Sequence, residues 1–583
     1  MNKFLITTAD ERTWPEQHYE LIFLGEWCKI YSRKENWLKY KSHTLNYHWN
    51  NTDKFNKDFD YLKKLQKKLL LNVSNSLNEL HRTNFSNKYW EILIGEFIML
   101  VVQVIFDRWE NIKNLEDKNI EINSIRLSYN DSSLVTNDLW ELQLLSSTND
   151  SWNSALYSMI LDEFIKNKSI KLNQIDGAGK LTLPIYFNKS LTNIKHYILK
   201  FYQKIVGFFF NKNQPLIIDS YLNYFDDLFI NLKYKRLPLF INLEKPINSG
   251  EYDVSYRNWK ILFEPNNQFE EFLIKVIPVI MPKSYLEGFT KISLKAKSSN
   301  FPQNPKFIFT SNITSDELLK NYIASKIEKG SKLICGQHGG GYGLAKLSSH
   351  EDHDISISDR YLSWGWNDLV RKKIFPLGII KKSYIKKKLN SNNLTLVLNA
   401  NARYGNFLWS NVISSQWLLY FNDQCSFISK LNTNIKDNLF VKLYPTDYDW
   451  NQSNRLISFS KSIKFYPESV NLKKAFQNSK IFVSTHNSTT FLESIYFNIP
   501  TVIFWDIKIS PLRDSVNSIF NDLEKVGIFH KSPESAAIHI NKVWQNVDKW
   551  WGSPEVILVM SKFKDEYCKS DFSFKKLKEA LSM

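Results

Sequence analysis

The pattern of apolar and polar positions changes period along the 583-residue chain. At the start, "KFLITT" carries almost no polar interruption and predicts a short buried strand, with "ADERTWP" as the polar loop that follows. From Trp37 to Lys168 the period turns helical. In "DFDYLKKLQKKLLLNVSNSLNELH" the residues Phe59, Leu62, Leu65, Leu69 and Leu70 share one face. This stretch reads as a helical insertion, and residues 169–300 give no clear period.

From Lys306 the pattern becomes strand, helix, strand. "KFIFTS" is followed by "SDELLKNYIASKIEK", with Thr314 and Glu317 spaced as a capping box and Gly330 as the stop, and then by "KLICGQ". Strands joined by a helix of this length pair in parallel. A polar, lysine-rich stretch at 379–393, "IIKKSYIKKKLNSNN", predicts a linker. Beyond it the alternation restarts with strand "LTLVLNA", a helical region, strand "NLFVKLYP", helix "NLKKAFQNS", strand "KIFVST", helix "TTFLESIYF" and strand "TVIFWD". The expectation is an α/β chain of two doubly wound domains. Residues 1–385 form the first, with the helical insertion at 37–168; residues 386–531 form the second; a helical tail at 532–583 packs back on them.

Composition narrows the partners. A hydrophobic share of 43% allows large cores, and a net charge of +17 suits phosphate-bearing ligands or an anionic membrane face. The lysines are scattered, without the arginine-rich arm or aromatic-basic signature of a nucleic-acid module, so no nucleic-acid partner is expected. Cys28, Cys335, Cys425 and Cys568 lie far apart and form no CxxC pair, which argues against a zinc site or disulfide framework and fits a reducing cytoplasm. The longest apolar run, Phe97 to Phe106, is shorter than the roughly 20 residues a membrane-spanning helix needs. The expected location is cytoplasmic, with the basic surface able to rest on the inner face of a membrane.

Doubly wound folds bind ligands at the carboxyl edge of their strands, so loops that follow strands carry the candidate chemistry. Five of the 18 glycines fall in "GQHGGGYG", residues 336–343. There Gln337 and His338 are the catalytic candidates, and Gly339, Gly340 and Gly341, with Tyr342 beside them, allow close approach of a ligand or of the other domain. In "VSTHNSTTFLES" the residues Ser484, Thr485, His486, Asn487, Ser488 and Thr489 stand between a strand and a helix start, a phosphate cradle without a Walker lysine. Glu493, four residues past Thr489, is placed for a ribose. Lys442, on the strand that ends at Pro445, is a phosphate cation, and Arg403 joins the same donor-binding set. Asp10 and Glu11 are candidates for base duty and Arg12 for acceptor binding. The stretch 348–366, with His350, Glu351, His353 and Asp354, reads as a polar loop that contacts an acceptor or closes over His338, and no metal or other cofactor is expected.

The histidine loop, the strand ending in proline and the Ser/Thr loop leading into "FLESIYFNIPTVIF" resemble GT-B glycosyltransferases, which pair two Rossmann-like domains. The closer likeness is to the branch that uses cytidine-activated donors, namely bacterial sialyltransferases, capsule Kdo transferases and CDP-glycerol glycerophosphotransferases. Those families carry His-Pro where this chain has Tyr444-Pro445. "LITTADERTW", "LGEWC", "YHWNN", "FDRW" and "QHGGGYG" also resemble a family of transferases encoded in bacterial surface-polysaccharide gene clusters. The resemblance implies a nucleotide-activated sugar, CMP-linked and acidic, passed to a glycan or lipid-linked acceptor. Transfer of a polyol phosphate from a CDP-linked donor, or a non-catalytic GT-B-like protein that binds glycan or membrane, are the alternatives it leaves.

Overall fold

The computed structural model describes residues 3–15, 18–115, 122–127, 131–165, 170–175, 198, 201–202, 205–206, 213–239, 247–313, 316–380, 385, 391–570 and 572–582. The chain is α/β with parallel sheets, as the alternation predicts. Sheet count differs from the expectation, because the first 385 residues hold two sheets rather than one.

The first sheet contains β1 (Lys3–Ile6), β2 (Glu20–Phe23), β3 (Ser42–Thr44), β4 (Ile122–Leu127) and β5 (Ile170–Ile175), in the order β3-β2-β1-β4-β5, all parallel. The second contains β6 (Leu216–Ile217), β7 (Phe307–Thr310), β8 (Lys332–Gly336), β9 (Arg360–Ser363) and β10 (Ile374–Pro376). Its order runs from β6 to β10 without reversal, again in parallel. The third contains β11 (Asn393–Val397), β12 (Leu439–Lys442), β13 (Lys464–Phe465), β14 (Ser479–Ser484), β15 (Thr501–Phe504) and β16 (Phe529–His530), ordered β13-β12-β11-β14-β15-β16. The direction of winding reverses between β11 and β14. Such a switch point leaves a crevice between the loops that follow the two strands.

The stretch 37–168 is not purely helical, since it contains β3 and β4. Its long helices are Thr52–His81, capped by Asn51, and Asn87–Lys113, capped by Ser86. The run Phe97–Phe106 lies inside this second helix, which is 27 residues long and apolar enough to cross a membrane, but 94% of its apolar window is buried within the protein. It is the central helix of the fold, packed against the helices Thr52–His81, Asp150–Ile165, Gln268–Ile280, Glu317–Ile327 and Ser349–Ile357. Enclosed on every side, it has no solvated face, so its few polar residues need internal partners. Gln103 donates to Ser349 and accepts from the Leu408 N–H, while Arg108 reaches Asp107, Asn153 and the Gly405 carbonyl.

Local chemistry revises two further expectations. The cap of helix Glu317–Ile327 is Asp316, whose side chain accepts from the Leu319 N–H; Thr314 lies outside the described residues. The helical region after "LTLVLNA" is irregular as far as Ser415, and the helix occupies Gln416–Lys430. Most of the expected linker, 381–384 and 386–390, lies outside the described residues. The tail is helical at Pro533–Val543, Val547–Trp551, Pro554–Tyr567 and Phe574–Leu581, and the last of these packs on the second sheet's core.

Candidate active site

The glycine loop leaves the carboxyl end of β8. Its first residue, Gln337, is almost fully buried and organises the loop: its side-chain oxygen accepts from the Trp364 N–H and from Trp366 Nε1, both at 2.9 Å. That bonding gives Gln337 a scaffold role in the loop, while its side-chain Nε2 is buried without a partner. His338 follows, half-buried, with Tyr342 edge-on at 5.4 Å and Tyr221 at 6.1 Å between ring centroids. Burial lowers its pKa and a backbone hydrogen bond at Ser311 opposes that shift.

The three glycines meet the Ser/Thr loop of the third sheet. The Gly340 N–H donates to Thr489 Oγ1 at 2.7 Å. A Cβ on Gly339 would stand 2.5 Å from Thr489 Oγ1, and one on Gly341 would stand 2.7 Å from Asn487 Oδ1. Gly340 has φ +73, in the left-handed region that favours glycine. Two motifs 150 positions apart in the chain therefore interlock, and the bare backbone is what lets them.

Within the Ser/Thr loop the roles divide. Thr485 is structural: its hydroxyl pairs with Tyr420 at 2.6 Å and donates to the Val397 carbonyl. Ser484 and Ser488 both lie within hydrogen-bonding reach of the Thr490 hydroxyl. Ser488 sits at the N-cap of helix Thr489–Tyr496, and its side chain makes no capping bond to the first amides of that helix. Next to it Asn487, 3% exposed, has neither side-chain polar atom hydrogen-bonded, and His486 Nδ1 is also without a partner. Burial pulls the His486 pKa down to about 4. Unmatched buried donors at a helix start are the physical requirements of an anion site. Glu493 lies half-buried on the same helix.

A cavity of about 320 Å³ opens beside the segment that follows β11. Its floor is the irregular segment after β11, including Asn401, Asn406 and Val412; its walls are Trp140, Gln143 and Ser147 from helix Leu139–Thr148. Tyr444 and Tyr448, stacked at 6.3 Å, stand at one side and His350 at another. Val412 also borders the small hollow beside His486, so the cavity and that hollow share a wall residue. Tyr444 thus lines the cavity from the position that the resemblance gives to histidine. Pro445 beside it is exposed, and Lys442 lies on β12 with its pKa lowered by burial against the opposing pull of Glu468.

His350 is not in a polar loop. It belongs to the helix Ser349–Ile357, whose Glu351, His353 and Asp354 are buried. Glu351 is paired with Arg513 at 2.5 Å and Arg371 at 3.1 Å. His350 Nδ1 stands 3.9 Å from Glu96 Oε1 on the central helix. Burial holds the His350 pKa at about 3, with His338 and His353 adding repulsion, and raises that of Glu96 to about 7. Among the described residues no His, Cys, Asp and Glu group forms a metal site.

The remaining candidates are engaged elsewhere. Arg403 is 3% exposed and binds Asp150, the Trp27 carbonyl and the Thr148 carbonyl, so it ties the third sheet to the first instead of facing a donor phosphate. Asp10 caps a 3-10 turn and pairs with Arg12 at 2.5 Å, while Glu11 accepts from Asn36 and faces Arg33. These three lie at the carboxyl edge of the first sheet, and their partners are local. Two groups were not legible beforehand. One is the floor at 399–414, whose clue is the asparagine run in "NANARYGNF" directly after a strand. The other is Tyr221 beside His338, with Asp219 two residues before it, both with positive φ, in a stretch without a clear period.

The family described as "LIC12162 family transferase" matches residues 3–577. The chain belongs to that family. The enzyme is therefore a transferase. Among solved structures, a glycosyltransferase from Rickettsia africae ESF-5 is 12% identical with a TM-score of 0.33, over 66% of this chain and 93% of that one. TarM is 12% identical with a TM-score of 0.30, and the match covers 47% of the transferase and 54% of TarM. WaaG, a glycosyltransferase involved in lipopolysaccharide biosynthesis, is 10% identical with a TM-score of 0.27, over 50% and 94%. All three likenesses are distant. No curated protein matches the chain.

Proposed function

We propose that this transferase moves a glycosyl group from a nucleotide-activated sugar to an acceptor hydroxyl in the cavity of about 320 Å³. The observation that carries the reading is the place of that cavity. It lies beside the switch point of the third sheet, and it shares Val412 with the hollow beside His486, one residue before the unpartnered Asn487 side chain. A volume in this range suits a small ligand, and the stacked Tyr444 and Tyr448 offer an aromatic wall to a base or sugar.

In this reading the donor phosphate rests at the start of helix Thr489–Tyr496. The acceptor oxygen forms a bond to the anomeric carbon, the bond from that carbon to the phosphate oxygen breaks, and the leaving phosphate keeps the electron pair. The helix amides stabilise that charge without a metal. His350 takes the acceptor proton. It lines the cavity, and Glu96 Oε1 stands 3.9 Å from its Nδ1, where a carboxylate favours the imidazolium as the proton arrives. His338 serves on the acceptor side with Tyr221 and Asp219.

The finer proposal is a CMP-linked acidic sugar and a surface-glycan or lipid-linked acceptor. The net charge of +17 supports anionic substrates on both sides. Titration calorimetry with CMP, CDP, UDP and GDP tests the donor: heat with the cytidine nucleotides is expected. Heat only with uridine or guanosine nucleotides overturns the cytidine proposal, and no heat with any of them overturns the nucleotide-sugar reading.

A further inference from the structure

The helix Tyr224–Lys233 is amphipathic in the reverse sense. Its inward face carries Asp227, Ile230 and Asn231: Asp227 accepts from Ser220 at 2.6 Å, and Asn231, fully buried, donates to the Asp227 carbonyl. Its outward face carries Phe225 at 67% exposure, Phe229 at 58% and Leu232 at 48%, spaced i, i+4, i+7, with Tyr224 at 67% beside them. A helix on a water-facing surface normally turns these two sets the other way. Phe574, on the last helix, meets Phe229 edge-on at 6.0 Å and extends the apolar face across two elements.

Basic residues frame this patch. Lys233 and Lys235 follow it on one side; Lys575 and Lys578 flank Phe574 on the other, all exposed. Among the described residues of these two helices the acidic ones are Asp226, half-buried and bonded to Asn223, Asp227, which points inward, and Glu579, which is exposed. Aromatic side chains that enter a headgroup layer, ringed by lysines that meet anionic headgroups, are the two components of an interfacial membrane site. A protein partner with an apolar centre would not need the lysine frame.

The geometry points to this face, helix Tyr224–Lys233 with Phe574, as the surface by which the protein docks on an anionic lipid bilayer. Its position gives the docking a use. The helix begins three residues after Tyr221, whose ring is 6.1 Å from that of His338, so the bilayer lies next to the glycine loop. Lipid docking stands independently of the transfer reading, because it needs no donor and no turnover.

The test is flotation of the full chain with vesicles of phosphatidylglycerol and phosphatidylethanolamine, against vesicles of phosphatidylcholine alone. Binding to the anionic vesicles is expected, with loss on raising salt. The double variant Phe225→Ser, Phe229→Ser should no longer float, with an unchanged melting temperature. Lys233→Gln, Lys235→Gln and Lys575→Gln should each weaken anionic binding by roughly fivefold. These exposed lysines supply the test if the aromatic variant fails to fold. The proposal is overturned if the wild type floats with neither vesicle, if the lysine variants float as well as the wild type, or if the wild type is a dimer that the aromatic substitutions dissociate.

Discussion

The Gly340 N–H donates to the hydroxyl of Thr489 at 2.7 Å, and this one bond joins the glycine loop of the second sheet to the helix start of the third. Thr489→Val removes the acceptor and leaves the amide unpaired, at a cost of about 1–3 kcal/mol. Gly341→Ala places a methyl 2.7 Å from Asn487 Oδ1 and should cost a similar amount by overpacking. Urea unfolding measures both. Both variants should also bind nucleotide more weakly, since each displaces the residues at the helix start.

His350→Asn should lower turnover by roughly 10²–10⁴ while nucleotide binding, read by calorimetry, is kept. Glu96→Gln should produce a smaller loss and shift the pH profile of turnover, because its carboxyl faces the His350 ring without lining the cavity. Normal turnover in His350→Asn with loss in His338→Asn would move the base to the glycine loop.

Arg403→Met should destabilise the fold by about 3–5 kcal/mol, the range for breaking a buried ion pair from one side. It leaves Asp150 facing the junction with Tyr404 as its remaining strong partner, at 2.5 Å. Thermal unfolding checks this, and a change confined to donor affinity would contradict the structural role.

The pH dependence of stability has a component that one variant isolates. His486 is held at about 4 in the folded protein against its ordinary 6.5. Its contribution is therefore complete above pH 6.5 and is lost as pH falls from there toward 4. Wild type should lose about 1.4 kcal/mol per pH unit more than His486→Asn across that window. Urea unfolding at pH 7 and pH 5 gives the difference.

The parallel sheets were legible in the alternation from Lys306 onward because each strand there is a continuous apolar run bounded by polar turns. The meeting of "HGGGY" with "NSTT" was anticipated only as clearance; the actual partner, Thr489, depends on how two sheets lie against each other, which no local pattern encodes. The buried helix at Ser349–Ile357 was misread for a related reason. Its His and carboxylate residues look solvated in sequence, and only the packing against the central helix, where Gly95 makes room for His353, shows why they are inside. Arg403 was misassigned because a buried cation tying two sheets has the same sequence appearance as one waiting for phosphate.

The second and third sheets are also stitched by backbone. Ala345 bridges Leu512, Ser348 bridges Trp409, and Arg513 crosses to Glu351. A joint sewn at several points is harder to open than one held by a single contact. The cavity beside that joint is lined by Tyr444 and Tyr448 on one side and by helix Leu139–Thr148 on the other, so its width is set by side chains as well as by the lie of the sheets.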